Sequence, residues 1–133
     1  MTYGYNNRSA MLRLPQSRFA IENRAADMCM NPYLALGMSA AAMTEGIVNN
    51  YDAGTPLNQD LYSMSEDEIE RSGAQRLPRN LLEAIEILRT DNLARTVLGD
   101  AMMNSYLAYK SDEWERYHQA ITDWEVVEYL RLY

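Results

Sequence analysis

The sequence predicts an α+β fold, a short antiparallel β piece of two strands followed by a mainly helical C-terminal region. Residues 9–14 ("SAMLRL") and 18–24 ("RFAIENR") read as strands joined by a tight "PQS" connection. Beyond Asn31, helix-start signals recur ahead of apolar residues spaced by three and four. The third observation is the division these make, with a strand-bearing segment over 1–30 and a helical region over 31–133.

In the second strand a period of two sends Arg18, Ala20, Glu22 and Arg24 to one face, and Phe19 and Ile21 to the other. Asn31 is a good N-cap and Pro32 a good first helical residue, so a helix is expected from about Pro32 to Val48. Its Ala, Gly and Met content predicts close packing on several sides. It holds Ser39, Thr44 and Glu45 and falls short of the ~20 apolar residues of a membrane span, so it reads as a buried helix of a soluble protein. Residues 49–65 form a loop with turn formers at Asn49, Asn50, Gly54 and Pro56. Ser65 with Glu68 is a capping box for a short helix to Arg71, and Asn80 with Glu83 opens "LLEAIEILR", where Leu81, Leu82, Ile85 and Leu88 make one stripe. A long helix over 100–121 follows, with Met103, Tyr106, Leu107, Lys110, Trp114, Tyr117 and Ile121 on its stripe. Thr122 with Glu125 opens the last helix, "WEVVEYLRLY".

The chain has 133 residues, 47% of them hydrophobic, enough for one domain with a core. Nineteen acids against twelve bases, with no run of Lys and Arg, exclude a duplex nucleic-acid binder. Cys29 is the only cysteine, so no intrachain disulfide forms, and it reads as a small buried hydrophobe. His118, also alone, reads as a surface residue on a polar helix. "MTYGYNNRSA" has no signal-peptide core, and the expectation is a cytoplasmic protein without a membrane segment. Two strands cannot stand alone, so the β piece is expected to pack on the helices or to complete a larger sheet.

Arg8, Arg13, Arg18 and Arg24, with Glu22 among them, fall within seventeen residues of an acidic protein. Guanidinium forks suit phosphate or carboxylate oxygens, and a carboxylate suits Mg²⁺. The same cluster also fits a solvated strand face with ordinary cross-strand ion pairs, and residue pattern leaves both readings open.

Several segments together resemble the C-terminal part of the glutamine synthetase catalytic domain: "NRSAMLRLP" (7–15), "IENR" (21–24), "NPYLALGMSAAAMTEGI" (31–47), "DLY" (60–62), "LPRNLLEAI" (77–85), "LG" (98–99) and "WEVVEYL" (124–130). The likeness covers essentially the whole chain in the family's order. It implies a fragment of a larger curved sheet, and active sites formed between subunits of a homo-oligomeric ring. It implies ATP and phosphate contacts for Arg8 and Arg13, with Arg18 a candidate for a third, glutamate contact for Arg24, and a Mg²⁺ or Mn²⁺ ligand in Glu22. The implied reaction joins glutamate to ammonia or a small amine at the expense of ATP, through γ-glutamyl phosphate. The tail resembles the branch with γ-glutamylmethylamide and γ-glutamylpolyamine synthetase-like enzymes, which leaves the acceptor amine open. Tyr62 stands where some bacterial members are adenylylated, but reads here as a packing or loop tyrosine. The family's N-terminal domain and its other metal ligands have no counterpart in these residues, so the chain reads as a piece of a ligase, inactive and self-associating when isolated. The alternative is a stand-alone binding or assembly module that keeps the helical scaffold.

Overall fold

In the computed structural model, residues 2–132 are described. They fall into two units, one up to Leu77 and one from Pro78 onward. The first unit holds a small sheet of β1 (Tyr3–Tyr5), β2 (Leu12–Leu14) and β3 (Glu22–Asn23), in the order β1-β2-β3. β1 and β2 run parallel with Gly4 opposite Arg13, and β2 and β3 run antiparallel with Arg13 opposite Glu22. The Arg24 amide donating to the Met11 carbonyl at 2.8 Å extends that second pairing.

The α+β class stands, with three strands where two were expected. β1 escaped the sequence reading because "TYGY" carries a central glycine and no clear alternation. Both expected strands are shorter, because residues 6–11 and 16–21 are spent on turns. Asn6, at φ 53°, bends the chain out of β1, and its amide still donates to the Leu14 carbonyl (3.0 Å). The expected apolar underside of the second strand is open, with Phe19 and Ile21 both exposed.

The outer edge of β1 is not bare. The Leu57 amide donates to the Tyr3 carbonyl (2.8 Å), the Tyr5 amide to Asn58 Oδ1 (2.8 Å) and the Tyr3 hydroxyl to the Gly54 carbonyl (2.8 Å). Segment 54–61 therefore lies along the sheet as an irregular fourth member, protecting an edge that would otherwise template foreign pairing. Gly4 makes this approach available: a Cβ there would collide with the Leu57 carbonyl oxygen and lie 2.8 Å from Asn7 Cβ.

α1 (Pro32–Val48) begins where expected, with Asn31 Oδ1 accepting from the Tyr33 and Leu34 amides at 3.0 and 3.3 Å. Asn50, at φ 52°, helps to end it, and the Tyr51 amide donates to the Gly46 carbonyl. The expected burial of this helix is not found, since no residue of α1 is buried and Tyr33 and Ile47 are 86% and 80% exposed. Its apolar residues point all round rather than to one stripe, and the first unit offers no second layer to cover them. Cys29 is likewise exposed, contrary to its reading as a buried hydrophobe. Its amide donates to Asp27 Oδ1 (2.6 Å), a turn that keeps this stretch at the surface. A 3₁₀ turn (Leu61–Ser63) and α2 (Glu66–Arg71) complete the unit, α2 opening where the Ser65 amide and hydroxyl both donate to Glu68.

The second unit packs α3 (Leu81–Thr90) on α4 (Asn92–Gln119) around Ile85, Ala94, Met103 and Leu107, all buried, with Met103 fully enclosed. Asn80 Oδ1 caps α3 at the Glu83 amide (2.9 Å), as its sequence signal predicts. α4 opens at Asn92, where Asp91 caps it through the Ala94 amide (2.8 Å), and its stretch beyond Gly99 is the long helix expected from residue 100. Gly99, at φ 73° and ψ 158°, interrupts it, and an Arg95–Asp100 ion pair spans the break. The long stripe is buried only in its first half: Tyr106, Lys110 and Trp114 are half-buried, whereas Tyr117 and Ile121 are exposed. His118 is at the surface as read, stacked on Trp114 at 5.5 Å. α5 (Asp123–Tyr129) opens on the Thr122–Glu125 box and ends short of the expected run, whose last residue, Tyr133, lies outside the described residues.

Replacing Gly4 by Ala forces the Leu57 carbonyl off β1 and is expected to cost about 3 kcal/mol, seen as a lower urea midpoint of unfolding. The capping boxes give a pH dependence. Hydrogen bonds from Ser65 and from Thr122 hold the Glu68 and Glu125 carboxyls below their ordinary value of 4.5. A lowered folded-state value means that this stability is complete above about pH 4.5 and is lost as the pH falls through that range. The thermal midpoint of the unaltered chain should exceed that of a Glu68→Gln, Glu125→Gln variant at neutral pH, the gap closing on acidification.

Candidate functional site

The register of β2 and β3 places Arg13 and Glu22 directly across from each other. Arg13 Nη1 donates to both carboxylate oxygens of Glu22, at 2.9 and 2.8 Å. Arg18, four residues before Glu22 on the connecting turn, adds a bond from Nη2 to Oε1 at 2.8 Å. The two arginines differ in burial, since the Arg13 side chain is 19% exposed and that of Arg18 64%. Arg13 is thus a fixed part of the sheet, and Arg18 an arm on its surface. Asn6 Oδ1 accepts a long contact from Arg13 Nη2 (3.4 Å) and a bond from the Gln16 amide (3.2 Å).

The electrostatics follow from this geometry. The Arg13 guanidinium, opposed by partial burial and reinforced by Arg18, holds the Glu22 carboxyl below the usual carboxylate range. The Glu22 carboxylate therefore stays ionised at neutral pH. Arg13 Nε is a buried donor without a partner among the described residues, an unusual condition for a group that costs free energy to leave unpaired.

Arg8 and Arg24 form a second pair on the neighbouring turn. Arg24 Nε donates to the Arg8 carbonyl at 2.8 Å, which ties the residue after β3 to the segment between β1 and β2. No other side-chain hydrogen bond of Arg24 occurs among the described residues, so its two terminal nitrogens keep their donors. The expectation of one charged face holding Arg18, Glu22 and Arg24 is met only in part: Arg18 joins Glu22 and Arg13, whereas Arg24 turns to Arg8.

Beside Arg18 the open underside of the sheet forms an apolar hollow of about 470 Å³, lined by Tyr5, Leu14, Pro15, Phe19 and Ile21 among others. Among the described residues no group of three or more His, Cys, Asp and Glu side chains is placed to hold a metal ion. Glu22 offers one carboxylate, which by itself does not fit a complete divalent-metal site. Among the same residues no helix is long and apolar enough to cross a membrane.

Residues missed from sequence are those that build the site without carrying charge. Asn7 and Ser9 flank Arg8 and bind segment 54–61, with Asn7 Nδ2 donating to the Leu57 and Gln59 carbonyls and the Leu61 amide to Ser9 Oγ. These partners lie some fifty residues away, and only the recurrence of Asn and Ser around an arginine in "NNRS" hinted at them.

The family model for the glutamine synthetase catalytic domain matches residues 1–129. The chain is 39% identical over 131 residues to a glutamate–methylamine ligase of Methyloversatilis universalis, covering 98% of this chain and 29% of the relative. It is 35% identical over 136 residues to a glutamine synthetase of Clostridium saccharobutylicum, covering 100% of this chain and 31% of the relative. A solved structure described as a GmaS/ADP complex superposes with a TM-score of 0.82 at 36% identity, over 98% of this chain and 29% of that one. The chain thus spans about three tenths of the length of the relatives it matches. With the motif strands, the capped helices and the match all in one order, the chain belongs to the glutamine synthetase catalytic-domain family.

Proposed function

We propose that this chain supplies the phosphate-binding and glutamate-binding strands of an ATP-dependent glutamate–amine ligase. The observation that carries the reading is the convergence of Arg13 and Arg18 on Glu22, beside the Arg8–Arg24 pair, in a chain of this family. Arg8, Arg13 and Arg18 contact the phosphates of ATP. Arg13 is held in place by Glu22 with part of its side chain open to solvent, and Arg18 is exposed enough to turn from Glu22 to a phosphate. The apolar hollow beside Arg18 gives the remainder of a nucleotide a surface to lie against. Arg24 meets the glutamate substrate through its terminal nitrogens. Glu22 contributes one carboxylate ligand to Mg²⁺ or Mn²⁺, the remaining ligands coming from outside these residues.

In that reaction the glutamate side-chain carboxylate attacks the γ-phosphorus of ATP and ADP leaves. The amine then attacks the acyl carbon of γ-glutamyl phosphate, giving the γ-glutamyl amide and phosphate after loss of a proton. What these residues provide is positive charge aimed at oxygens whose negative charge grows during transfer. The acceptor is ammonia or a small amine, the two kinds of activity carried by the names of the relatives. The all-round apolar α1 and the exposed Trp124, Val127 and Leu130 of the last helical segment are covered in the working enzyme by further ligase structure and by neighbouring subunits. The working enzyme is cytoplasmic in this reading.

Calorimetric titration with Mg-ATP is expected to show saturable binding, weakened about tenfold or more by Arg8→Ala or Arg13→Ala. Equal binding by all three chains would contradict the reading. The chain by itself is expected to release no phosphate from Mg-ATP with glutamate and ammonium or methylamine, because one carboxylate cannot hold the metals of phosphoryl transfer. Turnover in a sensitive phosphate-release assay would overturn that expectation.

A further inference from the structure

We propose that Asn7 is a positioning residue, which with Ser9 locks segment 54–61 against the turn that carries Arg8 and so fixes the origin of that guanidinium. The inference rests on the reading of Arg8 as a phosphate ligand and adds residues to it that carry no charge.

Asn7 is 8% exposed, and its amide is fully used. Nδ2 donates to the carbonyls of Leu57 (2.7 Å) and Gln59 (2.9 Å), while Oδ1 accepts from the Ser9 amide (2.9 Å) and hydroxyl (2.7 Å). Ser9 Oγ in turn accepts from the Leu61 amide at 2.9 Å. Arg8 sits between these two anchors, and its own carbonyl accepts from Arg24 Nε. Asn7 and Ser9 are therefore tied through their side chains to segment 57–61, the Ser9 amide to Asn7 and the Arg8 carbonyl to Arg24. Among the described residues the Arg8 side chain makes no hydrogen bond of its own, so any precision in its placement comes from that backbone. The network is part-buried around the buried Asn7 amide, and displacing that amide would leave its polar atoms unpaired where water reaches them poorly. The other end of the segment joins β1 through the Tyr3 hydroxyl and the Gly54 carbonyl, so loosening near Gly54 and loosening near Ser9 are separable changes.

Positioning differs from mere stabilisation in what it moves. Pyrophosphate binding is measured by calorimetry, and thermal midpoint in parallel, for the unaltered chain and for Ser9→Ala, Ser9→Thr, Asn7→Asp and Tyr3→Phe. Ser9→Ala and Asn7→Asp are expected to weaken binding about tenfold, Ser9→Thr to restore it to within about threefold, and Tyr3→Phe to leave it within about twofold. Tyr3→Phe serves as the control, since it removes a bond from the same segment without touching a neighbour of Arg8. Affinity that simply follows the thermal midpoint across all four variants would overturn the proposal. If the unaltered chain binds no pyrophosphate, the phosphate reading of Arg8 fails, and amide exchange then decides the clamp. Joint loss of protection at residues 7–9 and 57–61 in Asn7→Asp upholds it, and unchanged protection overturns it.

Discussion

The first unit depends on a guanidinium that the sheet mostly buries. A charge in the position of Arg13 is tolerable only with a carboxylate against it, because removing one partner strands the other in a medium that solvates it poorly. Glu22 meets that need from directly across the ladder. The pairing also fixes register, since a one-residue slip of β3 would send Glu22 to the opposite face. Arg18, on the turn between the two strands, reaches Glu22 only while that register holds.

Strands of three, three and two residues are too short to persist on ladder bonds alone. Their stability comes from chain fifty residues further on, where segment 54–61 is bound by side chains of β1 and of the turn after it. The same segment that closes the sheet edge also holds, through other bonds, the turn that bears Arg8. Fold and site therefore share one segment of chain, whose close approach at Leu57 is allowed by Gly4.

Local signals were legible in the sequence. The caps at Asn31, Ser65, Asn80 and Thr122 act on residues two or three positions away, and each opens the helix it announces. The Arg13–Glu22 juxtaposition could be suspected for a similar reason, since one turn separates the two residues. What escaped depends on distant chain. β1 exists because β2 and Leu57 both pair with it, and nothing in "TYGY" alone specifies either partner. Asn7 looks like any turn asparagine until the Leu57 and Gln59 carbonyls arrive. The burial expected of α1 and Cys29 failed because composition reports what a surface can pack against, whereas burial needs a second surface within the chain. Gly99, at φ 73°, separates the long helix from the turns of helix that begin at Asn92, a first half that the sequence signals did not announce.

The central claim is that these strands already gather the phosphate-binding arginines of a ligase site. Arginine side-chain nitrogen NMR on the whole chain, titrated with Mg-ATP, tests it most directly. The account predicts shifts concentrated at Arg8, Arg13 and Arg18, with Arg71, Arg89 and Arg116 unmoved. Shifts spread evenly over all the arginines would mean general attraction of an anion to exposed cations, and would contradict it.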